Sequence, residues 1–218
     1  MNKTWSELNK TIQRKLKNKD TYKAGIDILF DLRNQLMEVL KSFNEELCRE
    51  DFDAIPFINA DGYHSKTIAY SIWHIFRIED IVAHTLISEN EQVFFAGDYQ
   101  ERINSPIITT GNELVKEQIA DFSKRLNLKE LYFYIFEVKD STEKIINSLS
   151  YDELKKKIPE ERKEHLKSLN VVSNDENAIW LIDYWCGKDI LGLIQMPFSR
   201  HWIMHIEASL RIKEKIYS

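Results

Sequence analysis

Phe198-Ser199-Arg200-His201-Trp202-Ile203-Met204-His205-Ile206-Glu207-Ala208-Ser209-Leu210-Arg211-Ile212 decides how the chain is read. Phe198, His201, His205, Ala208 and Ile212 recur at spacings of three, four, three and four, which places them on one face of an α-helix. A core-facing stripe that contains two histidines is both a fold signal and a site signal. Two buried imidazoles need partners for their ring nitrogens, because an unpaired buried polar group is costly. One shared metal ion would satisfy both.

Other segments show the same period. From about Thr21 to Cys48, the apolar positions are Tyr22, Ile26, Leu29, Leu36, Leu40, Phe43 and Leu47, with one gap at Arg33. From about Leu128 to Leu149, the stripe is Leu131, Ile135, Val138, Thr142, Ile145 and Leu149. A further helix is expected from Ser65 or Lys66, with Ser65 as N-cap, to about Ser88. The segment from Glu89 to Thr110 holds Gly97 and Pro106 and has no sustained period, so it reads as a long connection with short helical turns. Asp152 to Lys167 reads as one or two exposed short helices. Asp175 is expected to cap a segment that Gly187, Gly192 and Pro197 then break before the final helix, Pro197 to Ile216. Glycine (6) and proline (4) are scarce in 218 residues, which argues against the many tight turns of an all-β protein. These features predict an all-α, single-domain chain over residues 1–218, a four-helix bundle with two long crossover connections.

Composition narrows the function classes. The formal net charge is −5, and the basic stretches Lys10–Lys19 and Lys155–Lys167 are broken by acidic or apolar residues. They read as solvated helix faces, so no nucleic-acid partner is expected. No apolar run is long enough for a membrane span, and the start, MNKTWSELNK, has no apolar signal-peptide core. The two cysteines, Cys48 and Cys186, fit no zinc or redox spacing; they are expected to be small core residues of a protein in the reducing cytoplasm.

His74 is the third candidate ligand. It shares a helix face with Thr67, Ser71, Ile78, Ile81 and Thr85, a face that should also turn inward. One histidine on one helix opposite a His-x-x-x-His pair on another makes a three-histidine site with open coordination positions, the general form of a catalytic metal centre. A lone core histidine is more often hydrogen-bonded than ligating, so the weight rests on all three facing inward together. His64, His84 and His165 read as surface or capping residues. Arg200 is either an anion contact or an exposed side chain. Trp73, Trp180, Tyr184, Trp185 and Trp202 are either pocket walls or core.

At these residues the chain resembles a known family. Thr67-Ile68-Ala69-Tyr70-Ser71-Ile72-Trp73-His74-Ile75-Phe76-Arg77-Ile78-Glu79-Asp80 is similar to the second helix of the DinB-like (DinB/YfiT) family of metal-dependent hydrolases, and Met196 to Glu207 resembles its last core helix. Trp185 to Leu193 is similar to the approach to that helix in a subgroup. Helix order and loop lengths extend the resemblance over most of the chain. It implies a bundle with two crossovers, a divalent metal ion (nickel or zinc) held by His74, His201 and His205, and a homodimer. Family members include thiol-dependent S-transferases and a mycothiol-dependent isomerase. The resemblance therefore implies a small-molecule substrate, with a low-molecular-weight thiol as one choice and S-transfer or hydrolysis as the reaction. No residue is assigned as a general base. The alternatives are a non-enzymatic metal-binding or stress-associated protein, and a plain interaction bundle.

Overall fold

The computed structural model describes residues 2–218 and is all-helical, with no β-strand among those residues. In chain order the helices are α1 (Lys3–Leu16), α2 (Tyr22–Glu46), α3 (Arg49–Asp53), α4 (Ile68–Asp80), α5 (Val93–Ala96), α6 (Tyr99–Ile103), α7 (Glu117–Arg125), α8 (Leu128–Ser148), α9 (Glu160–Ser168), α10 (Trp180–Cys186), α11 (Ile190–Gln195) and α12 (His201–Ile216). Two π-helical segments extend this set. Ile81–Ser88 continues α4, and Met196–Arg200 leads into α12. π-turns are rare and concentrate at functional sites, and both of these adjoin helices that carry candidate ligands.

α4 is the centre of the molecule. All of its residues are buried, and it packs against α3, α7, α8 and α12. A helix that is apolar on most sides can only be stable when surrounded. Its N-cap is Thr67, whose Oγ1 accepts from the Tyr70 N–H at 3.0 Å, rather than the expected Ser65. The Thr67 hydroxyl is itself buried and shares a 2.6 Å hydrogen bond with Ser123 of α7, which fixes the helix start inside the core.

α1 extends well upstream of the expected helix face at Lys10–Lys19, and its buried stripe was not anticipated from the sequence. It buries Trp5, Asn9, Ile12 and Leu16 at spacings of four, three and four, and lies along α2. The two helices meet closely at Gly25, where an added Cβ would stand 3.0 Å from the Leu16 side chain. The Lys10–Lys19 stretch is largely the solvated side of this helix, as expected.

The gap at Arg33 in the α2 stripe has a physical reason. The Arg33 side chain is fully buried and donates to both oxygens of Glu79, at 2.9 and 2.8 Å. It also donates to Glu143 at 3.0 Å and to the Phe198 carbonyl at 3.1 Å. The Trp202 indole N–H donates to Glu79 at 2.8 Å, and the guanidinium lies 4.3 Å from the Trp202 ring. One buried ion pair thus joins α2, α4, α8 and α12.

Several expected details change. Gly187 follows the end of α10 and Pro197 lies in the π segment, but Gly192 sits within α11, where its N–H donates to the capping Asp189 at 2.8 Å. Asp175 opens a turn before α10 instead of capping a helix. Neither cysteine is in the core: Cys48 is exposed at the start of α3 and Cys186 is half-buried. No helix is long and apolar enough to cross a membrane.

Candidate metal centre

The structure brings His74, His201 and His205 together. All three are buried, and one ligand atom from each lies within 4.8 Å of the others. The rings form a tight triangle, with centroids 5.1 Å apart for His74–His201, 4.9 Å for His74–His205 and 4.6 Å for His201–His205. This grouping could hold a metal ion. The pair at i and i+4 on α12 follows from the helical repeat, and the π segment with Pro197 sets where α12 begins.

His74 is oriented by a loop that follows one face of α4. Tyr70, His74 and Arg77, four and three residues apart, bind three carbonyls of residues 108–111. The Tyr70 hydroxyl donates to Gly111 at 2.9 Å, His74 Nδ1 to Thr110 at 2.6 Å, and Arg77 Nε to Ile108 at 2.9 Å. Because a carbonyl can only accept, Nδ1 of His74 carries the proton and Nε2 is left as the lone-pair nitrogen. Gly111 permits the arrangement. Its φ is +76°, and a Cβ there would stand 2.9 Å from the Trp73 ring.

The other two histidines have no such partner. His201 Nδ1 and His205 Nδ1 are buried without a hydrogen bond among the described residues. Three neutral imidazoles are a donor set that suits nickel or zinc. All three rings are held neutral, the form that binds metal. Burial pushes His74 down to about 4, opposed by its Thr110 hydrogen bond. Burial also drives His201 and His205 well below the usual histidine range, and the neighbouring imidazoles add to the effect.

A cleft of about 230 Å³ opens over the cluster. Trp180, Leu181, Tyr184, Trp185, Met196 and Pro197 line its apolar side. The aromatic residues singled out from the sequence therefore divide. Trp180, Tyr184 and Trp185 are walls, whereas Trp73 and Trp202 are core. Arg200 is exposed.

Of the remaining histidines, His64 lies in an exposed turn and His165 is exposed. His84 corrects the expectation of a surface or capping residue, because it is buried in the π segment after α4. Its Nδ1 is 2.8 Å from Asp80 Oδ1 and its Nε2 is 2.7 Å from Ser141 Oγ on α8. Asp80 also accepts from the Val93 and Phe94 N–H groups at 2.9 and 2.8 Å and from the Tyr134 hydroxyl at 2.9 Å. Burial pulls His84 down, but the hydrogen bond and charge of Asp80 outweigh it and its pKa is raised. This network locks the α4–α8 junction.

Sequence reasoning missed the Thr110 carbonyl, because a backbone group in an aperiodic loop leaves no residue-type signal. It also missed Lys66, Tyr63 and Asn112, which line a polar recess beside the cluster. No family model matches the chain, and neither does any curated protein.

Proposed function

We propose that the chain is a divalent-metal-dependent enzyme of the DinB-like kind, acting on a small molecule. In this reading α2, α4 with its π extension, α8 and α12 are the four helices of a single-domain bundle with two long crossovers. The observation that carries the reading is the cluster itself: three neutral, buried imidazoles converge beneath a cleft, two of them with an unpartnered ring nitrogen. His74, His201 and His205 would hold nickel or zinc. When bound, such an ion supplies Lewis acidity that lowers the pKa of a thiol or water brought to it.

The chain's own residues define the rest. The Thr110 carbonyl keeps His74 in one tautomer, and the Arg33–Glu79–Trp202 network holds α12 against α4, so that the three ligands stay in register. The aromatic wall excludes water from one side of the site. Low-molecular-weight thiols are the first co-substrates to test, with S-transfer to an electrophilic carbon or hydrolysis as the reaction. A metal held for structure alone would call for a fourth protein ligand, and among the described residues the cluster contains three. The free cysteines, Cys48 and Cys186, suit a cytoplasmic location, and a homodimer is part of the same proposal.

The test is a set of S-transfer and hydrolysis assays on the nickel- or zinc-loaded chain. The expected result is turnover that disappears in a folded His201→Ala/His205→Ala variant. Turnover that persists unchanged in that variant would overturn the proposal.

A further inference from the structure

The histidine cluster has two recesses, and they differ in chemistry. Adjoining the aromatic cleft is a recess of about 360 Å³ lined by Tyr63, Ser65, Lys66, Tyr70 and Asn112. His74, His205, Tyr63 and Asn112 border both. Tyr63 stands edge-on to His205 at 4.7 Å between ring centroids, on the border of the two spaces.

Among the described residues, Lys66 is the only cationic side chain lining either space. It is half-buried, and among the described residues its ammonium makes no ion pair or hydrogen bond. The ammonium lies over the Tyr70 ring, 5.3 Å from the centroid. A partly desolvated cation without a counter-ion is unfavourable, and an anion placed beside it would relieve that cost.

We propose that the site takes an amphipathic anion, with an aryl or alkyl body in the aromatic cleft and a carboxylate-class group on Lys66 in the polar recess. The reacting atom is then held between them, over the histidines. This substrate class rests on the reading of the cluster as the reaction centre, but the two subsites stand on their own lining residues.

The test is calorimetric titration of the full-length chain, metal-free and zinc-loaded, with 3-phenylpropanoate, 5-phenylpentanoate and their primary amides. At least one acid should bind about tenfold more tightly than its amide, the discrimination expected of a charge-assisted hydrogen bond. Lys66→Met, checked for folding by circular dichroism, should abolish that preference with or without zinc. Tyr184→Ala should weaken acid and amide equally. The proposal fails if neither acid binds saturably, or if acid and amide bind alike. It fails too if the preference survives Lys66→Met, as it would if the carboxylate sat on the ion. A Lys66-dependent preference in a chain that takes up no zinc would support the subsites while removing the metal reading.

Discussion

Two buried polar clusters join α4 to α12, and they are built in opposite ways. Around Arg33, each charged group has a partner: the guanidinium reaches two carboxylates and a carbonyl, and Glu79 accepts from both Arg33 and Trp202. Around His74, His201 and His205, two ring nitrogens have none, and a cleft opens beside them. Both clusters are desolvated, so the difference is not one of burial. A closed network specifies how four helices meet, whereas an open one is left for something the chain does not supply. In this molecule the first serves as scaffold for the second, since Trp202 is the neighbour of His201.

Substitution separates the two clusters. Removing one member of the Arg33–Glu79 pair, as in Glu79→Ala, leaves the buried guanidinium with only Glu143 and the Phe198 carbonyl, and should cost up to about 3–5 kcal/mol of unfolding free energy in a denaturant titration. His205→Ala in the metal-free chain removes a group that was already unpartnered and should cost far less. Equal losses from the two substitutions would erase the distinction.

Metal should stabilise only the open cluster. With free zinc or nickel at 100 times its dissociation constant, the parent should gain about 2.7 kcal/mol, seen as a raised melting temperature. His201→Ala/His205→Ala should gain nothing. Gly111→Ala sharpens the same point from the loop side. It disturbs the backbone that fixes His74 and should weaken metal binding about 10–100-fold, with smaller consequences for the Arg33 network.

The smallest effect per step is that of pH. His74 is held at about 4, below its ordinary 6.5, and His201 and His205 are lowered in the same direction. The unfolded chain therefore takes up protons that the folded chain refuses. Stability of the metal-free protein should be intact above pH 6.5 and fall as pH drops toward 4, by up to about 1.4 kcal/mol per pH unit for each histidine. His84 has the opposite sign. Its raised pKa contributes stability that is present below 6.5 and lost as pH rises through its folded value. A chemical-denaturation series from pH 7 to 4.5 checks the slope, and a flat profile would contradict neutral burial of the cluster.

Regular helices were legible in the sequence, and contacts made by backbone or by paired charges were not. The stripes of α2, α8 and α12 were visible because apolar spacing reports a buried face directly. His201 and His205 were visible as polar residues on such a stripe. Arg33 interrupted a stripe, and only its distant partners Glu79 and Glu143 explain why. His84 read as peripheral because Asp80 and Ser141, which satisfy it, come from two different helices. The π segments and the carbonyls of residues 108–111 have no residue-type signature at all. The role of Gly111 under Trp73 depends on its positive φ and on a contact made only in the folded chain. Lys66 was noticed only as a possible helix start.

The most direct measurement is elemental analysis of the purified, untagged protein beside a folded His201→Ala/His205→Ala variant. Near-stoichiometric nickel or zinc in the parent and none in the variant is the predicted result. A parent that holds no metal, even after reconstitution with nickel or zinc, would contradict the account.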